Sequence, residues 1–218
     1  MKELLKAYFG SFYNSPKVVD VKSRVVSNAI SLSDDKACSD CRKVTSHLAA
    51  ECDRTVLRCE ASENVEVIDW EGFLNAYSGL KAIRSFLKCD LMLVGEQKIV
   101  LCDMSCSNAK YIYPYQNNSG EMKIGKREYA KKQLLNTIEL LIAVPEIASE
   151  INLKLQKTAL FAYREKVDTN NDAFDSRIAR NMAAFNRIGN AINAERMYSD
   201  IGNGFYFTEV KYPEVYVW

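Results

Sequence analysis

Two aspartates lie in otherwise apolar stretches of this sequence, and they are the residues best suited to chemistry. Asp90 precedes the run LMLV, and Asp103 follows KIVLC. Burying a carboxylate costs free energy unless a cation or hydrogen-bond donors meet it. If the two runs form neighbouring strands, about 5 Å apart, both carboxylates can converge on one Mg²⁺ or Mn²⁺ ion. We therefore predict a divalent-metal site at Asp90 and Asp103 that acts on a phosphodiester.

A structural role for the two aspartates is the alternative. An aspartate at a strand end often caps a turn or pairs with a neighbouring basic residue, here Arg84 or Lys88. The residues alone leave both interpretations open.

The elements that must position these aspartates form a predicted hairpin. Two short apolar runs on either side of a Gly-Glu-Gln-Lys turn indicate strands over 89–94 and 99–106, joined by a turn at 95–98. Downstream, a helix is predicted over 127–144 because its apolar residues share one face: Ala130, Leu134, Thr137, Ile138, Leu141 and Ile142. A buried strand over 157–165 follows. Helix and strand after a hairpin favour an α/β fold in which helices flank a mixed sheet.

The flanking segments complete a single predicted domain over 1–218. The N-terminal elaboration, 1–87, contains a helix or arm (1–13), an undecided segment (16–32), a helix (35–53), two short strands around a polar turn (55–70) and a helix (71–87). The core occupies 88–165. After a polar linker at 167–175, the C-terminal part, 176–218, contains a helix over 176–197 and strand-like residues over 204–218.

The core resembles the restriction-endonuclease-like, PD-(D/E)XK superfamily. The resemblance rests on CDLMLV and KIVLCDMS, the helix YAKKQLLNTIELL and the strand KTALFAY, over about residues 84–165. It implies a magnesium-dependent nuclease in which Asp90 and Asp103 bind the metal and Gln133 matches the glutamine of the family helix. A carboxylate from the preceding region, Glu51 or Glu71, completes the implied set.

The sequence departs from the family pattern at the catalytic lysine. That position, two residues after Asp103, is Ser105, which carries no charge. The resemblance allows a lysine from elsewhere to replace it, and the candidates are Lys98, Lys110 and Lys132. The alternative is a catalytically degenerate nuclease fold that serves as a binding or assembly subunit, so enzymatic activity stays open. Restriction, repair and phage defence are the roles that the resemblance implies.

Basic and aromatic residues near the core suggest nucleic acid as the partner. Net charge is only +1, so binding depends on local patches. Arg127 and Lys131 lie at the start of the long helix, and Arg177 and Arg180 lie on the late helix; all four are predicted to contact phosphates. The tyrosines of YIYPY, Tyr111, Tyr113 and Tyr115, can stack on bases or pack on the fold's own core.

Four residues between Cys38 and Cys52 have near-zinc spacing. Cys38, Cys41, His47 and Cys52 form the row Cys-x2-Cys-x5-His-x4-Cys, yet the loop lacks glycines and the helical pattern over 35–53 places His47 away from the first two cysteines. We therefore favour reduced, buried thiols over structural Zn²⁺. With no secretory signal and no apolar run of about 18 residues, we expect a cytoplasmic protein without a membrane span, alone or in a homo-oligomer or larger complex.

Overall fold

The structure, a computed structural model, describes residues 1–33, 55–80, 83, 87–166 and 199–218. Within these ranges the chain has an α/β arrangement, with one mixed eight-stranded sheet and few helices beside it. None of the helices in these ranges is long and apolar enough to cross a membrane.

Eight strands form the main sheet. They are β1 (Ser23–Ser33), β2 (Thr55–Asp69), β3 (Leu91–Val94), β4 (Lys98–Asn108), β7 (Gln156–Lys166), β8 (Ser199–Gly202), β9 (Phe205–Lys211) and β10 (Val215–Val217). Their spatial order is β1-β2-β3-β4-β7-β9-β8, and β10 also pairs with β2. A separate two-stranded hairpin, β5 (Tyr115–Gln116) with β6 (Met122–Lys123), projects from the connection that follows β4.

The sheet changes direction at β4. Strands β1 to β4 run antiparallel to their neighbours, whereas β4, β7 and β9 are parallel. Antiparallel neighbours can be joined by a tight turn, and parallel neighbours need a crossover. Accordingly Gly95 closes the β3–β4 turn by donating its amide to the Lys98 carbonyl at 2.9 Å, and helices connect β4 to β7. The predicted hairpin is confirmed.

In the described ranges, four α-helical segments accompany the sheet, besides the short 3₁₀ turn Ala109–Tyr111. Helix α1 runs through an α turn (Lys2–Leu4), a π turn (Leu5–Phe9) and a second α turn (Gly10–Phe12). It is followed by α2 (Trp70–Asn75), α3 (Lys126–Ile142) and α4 (Pro145–Asn152). The predictions of a helix over 1–13 and a long helix from 127 are confirmed, and Pro145 begins a new helix because proline fits the first helical turn.

Two apolar cores lie on opposite faces of the sheet. On one face Leu101 and Phe161 pack with the helices, including Leu134 of α3. On the other face Val100 and Cys102 pack with residues of β1, β2 and β10. Strand β4 therefore contributes alternate residues to each core, as its period of two requires.

Two predictions about the N-terminal region are wrong. Residues 55–69 form one strand, because β1 pairs along it and the polar stretch 62–64 is accommodated at a register shift opposite Val26 and Asn28. The helix predicted over 71–87 ends at Asn75. Beyond it the amides of Tyr77 and Leu80 bond to carbonyls three residues back, in tighter turns that bury the same apolar spacing.

Of the remaining segments, some form strands and the others lie outside the described residues. The undecided segment 16–32 contributes β1, and the C-terminal residues form β9 and β10 on either side of Pro213. Strand β8 was not predicted. The helices predicted over 35–53 and 176–197 lie outside the described residues, as does the linker 167–175.

Candidate metal centre

The two aspartates lie beside each other at the end of the β3–β4 hairpin. The ladder pairs Leu91 with Cys102. One residue further on, the Asp90 amide donates to the Cys102 carbonyl at 3.0 Å, and Asp90 Oδ2 accepts from the Met104 amide at 2.7 Å. Asp90 thus hydrogen-bonds to the residues on both sides of Asp103.

Asp103 lies on the helix-covered face of the sheet. Its neighbour on the same side of β4, Leu101, belongs to the helix-side core, and its partner in β7 is Phe161 of the same core. The Asp103 side chain is only 6% exposed. A carboxylate buried to this degree needs compensating charge or hydrogen bonds.

Helix α3 fixes the segment that carries Asp90. Gln133 Nε2 donates to the Lys88 carbonyl at 2.6 Å, and Thr137 Oγ1 accepts from the Cys89 amide at 3.1 Å. Residues 133 and 137 are one helical turn apart, so one face of α3 holds both the C=O and the N–H of the peptide group between Lys88 and Cys89. Gln133, predicted as a site residue, therefore lies close to Asp90, where its amide positions the backbone.

Glu71, in the first turn of α2, contacts Asp90 through its backbone. Its amide donates to the Asp90 carbonyl at 3.0 Å, and Asp69 caps this helix by accepting from the Gly72 amide at 2.8 Å. In the part of the chain that the structure describes, no three His, Cys, Asp or Glu side chains are grouped closely enough to hold a metal ion. Glu51, the other predicted carboxylate, lies outside that part.

The negative charges of both aspartates affect the pKa values of the neighbouring thiols. Burial raises the pKa of Cys89 and of Cys102 well above the ordinary thiol value, and Asp90 and Asp103 raise each pKa further. Both thiols are fully buried.

Two of the predicted replacement lysines, Lys98 and Lys110, lie away from this pair. Lys98 is the first residue of β4, about 16 Å from Asp103 along the strand. Its Nζ lies 4.7 Å from the Tyr216 ring centre, on the face opposite Asp103. Lys110 follows the far end of β4, with its Nζ 5.2 Å from the Tyr111 ring centre. Lys132 is exposed on α3.

Ser105 occupies the position of the family lysine, and Lys88 is the basic residue two positions before Asp90. Ser105 is buried and its hydroxyl lies 3.1 Å from the Ser107 hydroxyl. Lys88, which the sequence reasoning named only as a structural partner, extends towards α2, where its Nζ donates to Asn75 Oδ1 at 2.7 Å. Its position two residues before Asp90 is the sequence feature that could have identified Lys88 as a candidate site residue.

Of the four residues predicted to contact phosphates, Arg127 and Lys131 lie in the described ranges, and both contact other residues of the fold. Arg127 forms ion pairs with Glu128 at 2.7 Å and with Glu209 at 3.0 Å, so a phosphate would have to compete with two carboxylates. Lys131 lies 5.8 Å from the centre of the Phe207 ring. Arg177 and Arg180 lie outside the described ranges. So do the four residues with near-zinc spacing, Cys38, Cys41, His47 and Cys52.

Comparison with known proteins gives no relative. No family model, no curated protein and no solved structure matches the chain. The resemblance to the restriction-endonuclease-like superfamily therefore remains a prediction from the sequence motifs.

Proposed function

We propose that this protein is a divalent-metal-dependent nuclease that hydrolyses phosphodiester bonds at Asp90 and Asp103. The observation that carries the proposal is the bracketing of Asp103 by Asp90, which bonds to Cys102 and Met104 on either side of it. Two carboxylates held this close repel each other unless positive charge lies near them.

The side chains at this hairpin fit a hard divalent cation. Carboxylate oxygens are the ligands that Mg²⁺ and Mn²⁺ prefer, and Mg²⁺ needs only one or two of them because it retains water. When bound, such an ion supplies an activated water and neutralises phosphate charge. Asp90 and Asp103 would hold it, and we assign Glu71, whose amide bonds to the Asp90 carbonyl, as the further carboxylate of the site.

The order of elements supports the proposal. A β3–β4 hairpin, helix α3 with Gln133 facing the hairpin, and β7 parallel to β4 follow the order that the sequence resemblance implies.

Lys88 is the cation that we assign to this centre. Gln133 holds its carbonyl at 2.6 Å, and Asn75 holds its ammonium group at 2.7 Å. Asn75 lies one helical turn from Glu71, so the ammonium group is anchored on the helix whose first residues contact Asp90. An ammonium group there can bind a phosphate oxygen and stabilise developing negative charge.

Metal-dependent melting tests the site before any substrate is known. Mn²⁺ is expected to raise the melting temperature of the parent, because an ion that binds only the folded state stabilises it. Asp103→Asn should remove that rise, whereas Asp20→Asn, which alters an exposed aspartate paired with Lys6, should retain it. A parent without any metal-dependent rise contradicts the proposal.

Cleavage assays then separate metal binding from catalysis. Parent protein with Mn²⁺ is expected to cut at least one of single-stranded DNA, duplex DNA or RNA, and Asp103→Asn to cut none. Lys88→Met should keep the metal-dependent rise and lose most of the cleavage. If Lys88→Met cleaves at the parent rate, the assignment of Lys88 is wrong.

A binding or assembly subunit is the second candidate, and Ser105 favours it. The side chain two residues after Asp103 offers a hydroxyl bonded to Ser107 in place of an amine. For this candidate, the expected result is a metal-dependent rise in melting temperature with no cleavage of any of the three substrates.

A further inference from the structure

A cleft of about 780 Å³ lies between the end of β4 and the start of α3. Its walls come from the short helical turn Ala109–Tyr111, the β5–β6 hairpin and the first turn of α3. The lining residues that matter most are Lys110, Tyr111, Tyr115, Asn117, Lys126 and Tyr129. It is separate from the metal centre, since Asn108, where β4 ends, is about 16 Å along the strand from Asp103.

The hairpin wall of the cleft is held in shape by side-chain hydrogen bonds. Asn117 Oδ1 accepts from the amides of Ser119 at 3.0 Å and Glu121 at 2.9 Å. Gln116 Nε2 donates to the Gly120 carbonyl at 2.8 Å. A preformed wall lowers the ordering cost of binding a ligand.

A backbone contact ties the cleft to α3. The Arg127 amide donates to the Ile112 carbonyl at 2.9 Å, and the neighbouring Gly125 packs directly on the backbone of Ile112 and Tyr113. The connection after β4 is therefore attached to the helix that holds the segment next to Asp90.

Three tyrosines present rings to the cleft. Tyr111 and Tyr115 meet edge to face with ring centres 4.8 Å apart, and Tyr129 is 39% exposed on α3. Tyr113 is different, because its side chain does not line the cleft. Of the tyrosines in YIYPY, the first and last are therefore the ones available for stacking.

The charge of the cleft is positive. Lys110 and Lys126 line it, and its lining contains no aspartate or glutamate. Within the described ranges neither lysine forms an ion pair, whereas the nearby Lys123 is neutralised by Glu121 at 2.7 Å. Planar rings with uncompensated ammonium groups suit a ligand that has both an aromatic face and a phosphate.

We infer that this cleft binds one or two nucleotides of single-stranded nucleic acid, by stacking bases on Tyr111, Tyr115 and Tyr129 while Lys110 and Lys126 contact phosphates. A duplex fits less well, because its bases are already stacked on one another and do not present their faces. The inference deepens the proposed function, on which it rests for the class of substrate.

The cleft lies on a route to the metal centre. Tyr129 and Gln133 are one turn apart on α3, about 6 Å along its axis. Gln133 in turn contacts the carbonyl of Lys88, two residues before Asp90. A nucleic-acid chain with a base stacked on Tyr129 can therefore extend along α3 towards Asp90 and Asp103.

Binding without cleavage tests the inference. We would measure fluorescence anisotropy of labelled eight-residue dT and U oligonucleotides with EDTA present, so that metal plays no part. The parent should bind at least one oligonucleotide more tightly than a duplex of equal length. Tyr111→Ala and Tyr129→Ala should each weaken binding about tenfold, whereas the corresponding Phe variants should bind as the parent does.

Charge and surface controls sharpen this test. Lys110→Ala with Lys126→Ala should weaken binding to all sequences and reduce its salt dependence. Tyr206→Ala, at a ring that is 47% exposed on β9, should change nothing. The inference is overturned if the parent binds neither oligonucleotide, or if Tyr111→Ala and Tyr129→Ala bind like the parent.

The same variants distinguish this inference from the proposed function. Asp20→Asn, at an exposed aspartate outside both the cleft and the metal centre, should bind oligonucleotides like the parent. Cleft-dependent binding by a parent that cleaves nothing would refute the nuclease and support the cleft. Normal cleavage by Tyr111→Ala and Tyr129→Ala with unchanged binding would refute the cleft alone.

Discussion

Asp90 accepts a hydrogen bond from the Met104 amide through Oδ2, at 2.7 Å. Strand β3 begins only at Leu91, so the antiparallel ladder does not extend to Met104. The carboxylate occupies the place of the missing ladder partner and leaves the Met104 amide paired. Asp90 consequently has a structural task, which the sequence alternative of a capping aspartate anticipated, in addition to the metal-binding task that we propose.

Replacing Asp90 separates the two tasks. Asp90→Ala is expected to lower the free energy of unfolding by about 1.5–3 kcal/mol, because it removes a charged acceptor from the Met104 amide. Asp90→Asn keeps an oxygen acceptor and should lose about half as much. Urea denaturation without metal provides the measurement, and equal stabilities of Asp90→Ala and the parent would contradict the capping role.

Thr137 offers a second test of how α3 positions this segment. Thr137→Val nearly preserves shape but leaves the buried Cys89 amide without its acceptor, so we expect a loss of about 2 kcal/mol in unfolding free energy. Thr137→Ser keeps the hydroxyl and should lose about 1 kcal/mol, from the missing methyl group. Hydrogen exchange provides the matched reading: the Cys89 amide should lose protection in the Val variant and keep it in the Ser variant.

The hairpin could be predicted from sequence because its signals are local. Short continuous apolar runs indicate buried strands, and a Gly-containing four-residue turn sets the register, so that Asp90 and Asp103 come together once the strands pair. Helix α3 has an equally local signal in its apolar face. The contacts of this helix to residues 88 and 89 could be predicted only in part. The resemblance identified Gln133 as a site residue, whereas the sequence pattern identified Thr137 only as a core residue.

The surroundings of the aspartates were less predictable because they depend on distant contacts. Lys98 is close to Asp103 in sequence, yet β-strand alternation and β10 direct it onto Tyr216 on the other face. The partner of Arg127 is Glu209, 82 residues later. The end of α2 was misplaced because apolar residues spaced by three support tight turns as well as an α-helix.

The buried thiol of Cys102 predicts how stability depends on alkaline pH. Burial raises its pKa well above the ordinary value, so the folded state keeps the proton above pH 9, where the unfolded chain releases it. The folded state then binds more protons than the unfolded state, and the free energy of unfolding must fall as pH rises. At most, one thiol contributes about 1.4 kcal/mol per pH unit.

The Cys102→Ala variant should therefore show a shallower fall in stability between about pH 9 and 10.5 than the parent. Val100→Ala is the matched control, because it truncates a buried side chain on the same face of β4 and carries no titrating group. It should be less stable than the parent at every pH, with an unchanged slope. Identical slopes in parent and Cys102→Ala, measured by urea denaturation, would contradict the prediction.

Gly125 provides a prediction that joins the cleft to α3. Its backbone has φ −74° and ψ 170°, which any residue can adopt, so the requirement for glycine is one of space. A Cβ there would overlap the Tyr113 carbonyl carbon and the Ile112 oxygen. Those atoms belong to the backbone, so the connection after β4 must move away from α3 to admit a methyl group.

Gly125→Ala is accordingly expected to reduce the free energy of unfolding by about 1–3 kcal/mol, the usual cost of overpacking. It should also weaken oligonucleotide binding, because Tyr111 and Tyr115 move with the connection while Tyr129 stays on the helix. Gly79→Ala is the control: no atom lies within 4 Å of the position that its Cβ would occupy, so stability and binding should match the parent. Unchanged binding by Gly125→Ala would show that the stacking surface does not depend on this contact.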